Sequence, residues 1–123
     1  MHEQKRKEMS LAAMEIILHA GDAKLLVDRA LEQMAQMDFE GAEELLKEAD
    51  EEMLKAHNCQ TGIIQDEASG SEYPNCLLFN HSQDTLMTCM SHSSMAKSLL
   101  TIMKGFAHRL DELSQKEEEP NEW

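Results

Sequence analysis

His81, Gln83, Asp84, Thr85 and Thr88 sit together in the run "LLFNHSQDTLMTCM", residues 77–90. On a helix, His81, Asp84, Thr85 and Thr88 fall at i, i+3, i+4 and i+7 and line one face. Asn80 is expected to cap that helix, with Gln83 three residues on completing a weak capping box. His81 then lies in the first turn, where free backbone N–H groups and the positive end of the helix dipole favour an anion. A neutral imidazole in that setting can attack a phosphoryl group, and the nearby donors can hold the anionic phosphohistidine. Histidine titrates near neutrality and its phosphoramidate is high in energy, so the group can move on. The same spacing suits an exposed first-turn histidine followed by a carboxylate that the dipole favours. It also suits the start of a metal site, although two ligands at i, i+3 specify no metal. His2, His19, His57, His92 and His108 stand apart and read as surface or packing residues.

Helices must position that face. From residue 9 to about 34, Met9, Ala13, Ile16, Ile17, Ala20, Val27, Ala30, Leu31 and Met34 recur close to a 3.6-residue period. Gly21 interrupts this stretch at a cost of about 1 kcal/mol against Ala, which hints at close helix packing or a local bend. Asp38 is an N-cap candidate for a second helix over residues 39–68. Its stripe is Ala42, Leu45, Leu46, Ala49, Met53, Ala56, Ile63 and Ile64, opposite a charged face. Gly70 and Pro74 end that helix and delay the next. The third is expected from near Asn80, or slightly earlier, to about Gln115, with Leu86, Met90, Met95, Leu99, Ile102, Met103, Phe106, Leu110 and Leu113 as its apolar stripe. The whole reads as all-α, an antiparallel up-down-up three-helix bundle in one domain over residues 1–115. Residues 116–123 read as an acidic, mobile tail. The apolar stripes are wide for one three-helix core, so a second face is expected to bury against another copy in a homo-oligomer.

Composition narrows the function. The chain has 123 residues and a formal net charge of −13, from 24 acidic and 11 basic residues. Such a surface repels phosphate backbones and anionic lipid, so nucleic-acid binding and membrane docking are not expected. No run approaches the roughly 18 apolar residues of a membrane span, and no signal-peptide pattern opens the chain. Cys59, Cys76 and Cys89 form no C-x-x-C pair and are odd in number, which suits reduced thiols in a cytoplasmic protein.

At these residues the chain resembles the enzyme IIA component of the lactose/cellobiose class of the sugar phosphotransferase system. "HSQDTLMT", residues 81–88, is similar to that family's H-[AG]-Q-D-H-L-M-T. "AHNCQTGIIQDEASG", residues 56–70, is similar to its A-H-x-x-Q-T-x-[LM]-[IL]-x-x-E-A-[SG]-G, which places Gln60 and Thr61 in a family motif. "MEIILHAGDAKLLVDRAL" and "DFEGAEELLKEA" fit its first helix and the opening of its second. The resemblance covers residues 9–115, in three motifs in the right order. It implies a homotrimer of three-helix subunits. It also implies that His81 takes a phosphoryl group from the phosphohistidine of HPr, on Nε2, and passes it to a cysteine of the cognate enzyme IIB. The sugar, a β-disaccharide of unspecified identity, then enters through enzyme IIC without touching this chain.

By the same resemblance Asp84 lies near the trimer axis around a metal ion, and Gln83 is an orienting group for the site. Three converging carboxylates repel, and a divalent cation removes the repulsion. All-oxygen ligation favours Mg²⁺ or a similar hard ion. Thr85 departs from the pattern, because the family carries a second histidine there. A hydroxyl can donate a hydrogen bond but carries no charge. That departure keeps open a second function, a partner-binding regulatory trimer of the same fold with weak or no transfer.

Overall fold

The computed structural model describes residues 2–118, in three helices: α1 (His2–Ala35), α2 (Phe39–Ala68) and α3 (Leu77–Glu118). Each carries a buried seam in steps of three and four residues. On α1 it is Met9, Ala13, Ile16, Ala20, Ala23, Val27, Ala30 and Met34. On α2 it is Ala42, Leu46, Ala49, Met53 and Ala56; on α3 it is Phe79, Ser82, Leu86, Cys89, Ser93, Ala96 and Leu100. A 3.5-residue period keeps one face of each helix turned to its neighbours at a shallow crossing angle. The three seams form one apolar cluster.

Pairs between helices fix their register. Lys5 reaches Asp66 at 3.1 Å, Glu15 meets Cys59 at 3.2 Å and His19 meets Glu52 at 2.8 Å. Lys97 bonds Asp50 at 2.8 Å, and Lys104 bonds Glu43. Asp28 meets His92 at 3.1 Å, and the Cys89 thiol donates to the Ala20 carbonyl at 3.4 Å. That last contact measures how closely the alanine-rich face of α1 approaches α3. All three cysteines are free thiols.

The bounds of α2 agree with the sequence reading. α1 starts earlier, at His2, because the charged residues before Met9 are good helix formers and Lys5 is tied down by Asp66. α3 starts at Leu77 and runs three residues past Gln115, to Glu118. The rest of the expected tail, residues 119–123, lies outside the described residues. The expected stripe of α3 needs correction: Met90, Met95, Leu99, Ile102, Phe106, Leu110 and Leu113 are all exposed. The face that packs interleaves Phe79, Leu86 and Leu100 with the small Ser82, Cys89, Ser93 and Ala96, and of the expected stripe only Leu86 is fully buried on it. α1 runs unbroken through Gly21, which serves no close packing within the chain, since a Cβ there would meet nothing within 4 Å.

Two turns with the same bonding pattern close α1 and α2. After α1, the Asp38 N–H bonds the Gln33 carbonyl at 2.9 Å and the Met37 N–H bonds Met34 at 3.0 Å. After α2, Ser71 bonds Asp66 at 3.2 Å and Gly70 bonds Glu67 at 3.1 Å. Both turns need a left-handed residue. Gly70 (φ 114°) supplies it freely, whereas Met37 (φ 64°) pays a steric cost. Met37→Gly is therefore expected to stabilise the fold by about 1 kcal/mol, raising the thermal midpoint by about 4 °C; calorimetry checks it.

Three ion-paired carboxylates make the fold acid-sensitive. Tyr73 and then Lys5 hold the Asp66 carboxyl below the usual range; His19 and Lys55 do so for Glu52; Lys24 and His92 do so for Asp28. A lowered folded-state pKa contributes stability that is complete above the ordinary carboxylate range and lost as pH falls through the lowered value. The thermal midpoint is thus expected to decline below about pH 4.5. Asp66→Asn is expected to flatten that decline in a series of melts from pH 6 to pH 3.

Candidate functional site

Pro74, Asn75 and Cys76 lead into α3, and its first bond runs from the Asn80 N–H to the Cys76 carbonyl at 3.1 Å. Asn80 is therefore the helix's fourth residue and not its cap, and the expected capping box with Gln83 does not form. Phe79 explains the difference. It is buried at 5% exposure and opens the packed seam, so the helix must begin before it. His81 accordingly lies one turn past the free amides of Leu77, Leu78 and Phe79. The dipole's influence fades within a turn, so His81 receives less of it than first-turn placement implies. The Cα–Cβ bond of His81 still tilts back toward those amides.

His81 and Asp84 are exposed, and Thr85 is half-buried beside them. With Thr88 they line a groove of about 380 Å³ between α3 and α1, completed by Ala20, Gly21, Lys24, Cys89 and His92. The missing side chain of Gly21 leaves that groove open. Among the described residues, neither the His81 ring nor the Asp84 carboxylate makes a side-chain hydrogen bond or ion pair. The Thr85 hydroxyl is already committed, donating to the His81 carbonyl at 2.9 Å. Gln83 lies elsewhere. It lines a separate groove with Met9, Ile63, Tyr73 and Phe79, two residues and therefore some 200° round the helix from His81.

Two groove residues escaped the sequence reading. Lys24 and His92 both bond Asp28, each at 3.1 Å, and both line the groove. Lys24 and Asp28 are an i, i+4 pair legible on α1, but their meeting with His92 is tertiary. At the groove's floor, burial pushes the Cys89 thiol pKa up, which makes it an apolar lining group and not a nucleophile. His19, Asp22 and Glu52 also come together, with ligand atoms within 4.8 Å of one another. Glu52 is there balanced by His19 and Lys55, at 2.8 and 3.0 Å.

The family model described as the lactose/cellobiose-specific IIA subunit of the phosphotransferase system matches residues 11–104. The chain belongs to that family. This IIA chain is 37% identical over 99 residues to the lactose-specific EIIA component of Lactococcus lactis subsp. lactis, covering 80% of itself and 94% of the relative. It is 36% identical over 96 residues to the lichenan-specific phosphotransferase enzyme IIA component of Bacillus subtilis, covering 78% and 87%. Among solved structures, PtcA from S. mutans superposes with a TM-score of 0.78 at 40% identity, covering 80% of this chain and 96% of that one. The cellobiose-specific enzyme IIA of Bacillus anthracis gives a TM-score of 0.75 at 28% identity, covering 80% and 90%. These relatives are phosphotransferase components, and so is this IIA chain. No helix among its described residues is long and apolar enough to cross a membrane.

Proposed function

We propose that His81 is a phosphoryl relay between HPr and the cognate enzyme IIB, in the cytoplasmic uptake of a β-disaccharide. The observation that carries this reading is the exposed His81 ring, unbonded among the described residues, on an open groove in a chain of this family. His81 Nε2 forms the N–P bond as the bond to the HPr imidazole breaks. The thiolate of enzyme IIB then takes the group and returns the neutral imidazole. Little covalent chemistry is asked of the protein beyond positioning and charge compensation. Leu86 and Ser82, both fully buried, fix the helical turn that presents His81. The sugar makes no contact with this chain.

The assembly that supports this is an up-down-up bundle, consistent with pairs whose numbers rise on α1 and fall on α2. Its copies form a homotrimer along the outer face of α3. Asp84 lies on that face and is exposed, so one carboxylate per copy is available to a hard cation such as Mg²⁺. The ion's part is to neutralise the repulsion between carboxylates. Asp84→Leu is expected to leave the trimer intact in chelator, as judged by analytical ultracentrifugation. Dissociation of the variant would give Asp84 another role.

Incubation with phosphoenolpyruvate, enzyme I and HPr is expected to place one acid-labile, base-stable phosphate on the chain, mapped to His81. A chain that stays unmodified refutes the reading. One observation favours the regulatory alternative: Thr85, in place of a second histidine, spends its donor on the backbone. That reading requires partner binding that survives His81→Ala and no transfer to any IIB.

A further inference from the structure

Outside the groove, α1 and α2 bring three metal-ligating side chains together. His19 and Asp22 stand at i, i+3, neighbours on one side of α1. Glu52 comes from α2, carried to them by the register that also pairs Lys5 with Asp66 and Glu15 with Cys59. One ligand atom from each of the three lies within 4.8 Å of the other two. We propose that this trio binds a divalent transition ion of the zinc class, which staples α1 to α2. The site stands apart from the relay reading and from the cation assigned to Asp84.

Donor chemistry selects the ion. One imidazole nitrogen and two carboxylate oxygens suit Zn²⁺, which takes three protein ligands and leaves a fourth position to water. Mg²⁺ prefers oxygen alone and gives up its waters reluctantly, so an imidazole in the set disfavours it. The two carboxylates match the ion's two charges, and neutral imidazole adds none. Helix bundles build metal sites from a histidine and a carboxylate at i, i+3 on one helix and a further carboxylate on a facing one. Here α1 supplies the pair and α2 the third group.

The two oxygens of Glu52 have separate duties. Oε1 accepts from Lys55 at 3.0 Å, and Oε2 lies 2.8 Å from His19 Nδ1. A carboxylate held this way offers one oxygen to an ion and keeps the other in a supporting hydrogen bond, the arrangement that orients metal ligands. The side chains of His19 and Glu52 are only 25% and 21% exposed, so burial and bonding fix both in advance. Asp22 is exposed and makes no side-chain hydrogen bond or ion pair among the described residues, which leaves it free to close on the ion. Ligands on a tetrahedral ion at about 2.1 Å stand about 3.4 Å apart. The His19–Glu52 pair therefore opens by about 0.6 Å, and Asp22 swings in about its own side-chain bonds. The fourth position opens on the solvent side, where Asp22 lies.

Titration of the full chain with Zn²⁺ against a chromophoric chelator tests the proposal, beside His19→Ala, Asp22→Asn and Asp84→Leu. The wild type is expected to hold one ion that both trio variants weaken by roughly tenfold or more and that Asp84→Leu leaves in place. Mg²⁺ in large excess is expected not to compete. Co²⁺ in place of Zn²⁺ is expected to give d–d bands that His19→Ala loses, without the near-ultraviolet band that a thiolate ligand adds, which separates the trio from the three free cysteines. Asp22→Asn keeps the test sound if His19→Ala disturbs the fold, because Asp22 is exposed and unbonded among the described residues. No zinc bound by the wild type, or unchanged affinity in both trio variants, overturns the site and leaves the relay reading standing. So does a loss confined to Asp84→Leu, which would put the ion on that carboxylate.

Discussion

His81→Ala is expected to reduce phosphoryl incorporation from phospho-HPr by at least roughly a thousandfold, because on the relay reading proposed above it removes the atom that forms the new N–P bond. The fold should barely notice. The ring is exposed and makes no side-chain bond among the described residues. Alanine is also the better helix former, by about 0.5 kcal/mol. Urea melts of the two proteins should therefore agree within about 0.5 kcal/mol while transfer disappears. That separation matters, since a loss of transfer with a loss of fold would say nothing about the imidazole. Persistent labelling would move the acceptor elsewhere, and His92, in the same groove, is the first place to look.

The opposite pattern is expected one turn away, inside the bundle. Leu86 is fully buried on the α3 seam against α1 and α2. Leu86→Ala removes that apolar volume and leaves a cavity, at a cost of about 3 kcal/mol. At a urea slope of about 1.5 kcal/mol/M the midpoint falls by about 2 M. Protein concentration must be held fixed, because any self-assembly would add to apparent stability. Thr85→Ala next to it gives the contrast. Its hydroxyl only returns to its own helix, so the change should lie within about 0.5 kcal/mol. A Leu86→Ala loss below about 1 kcal/mol would mean the α3 seam is not tightly packed.

Much of this was legible in the residues, and the failures have physical causes. Asp38, Gly70 and Pro74 punctuate the chain by backbone chemistry that needs no tertiary context, so α2 came out with its observed bounds. The grouping of His81 with Asp84 follows from helical spacing alone. Of the core face of α3 the expected stripe held Leu86 and the half-buried Met103, and it missed the rest because hydrophobicity ranks residue types and not partners. The bulky Met95, Leu99, Ile102 and Phe106 outrank Ser82, Cys89, Ser93 and Ala96, yet it is the small set that is buried, with the Cys89 thiol on the Ala20 carbonyl. Asn80 looked like a cap because its chemistry suits one; the need to bury Phe79 moved the helix start upstream. The resemblance makes Gln83 a companion of His81, although two residues on a helix nearly reverse direction. Lys24 and His92 could not be placed beside His81 without knowing which helix lies against which.

The turn between α1 and α2 leaves the hairpin no slack. Asp38 holds both sides of it: its N–H ends α1 on Gln33 and its carboxylate begins α2 by accepting from Gly41 at 3.0 Å. One residue inserted at position 37 would separate those two grips and spin α2 by 100°, swinging Ala42, Leu46 and Ala49 off the partner face. The hairpin's register is thereby set by the length of this turn as much as by the side chains that pack across it.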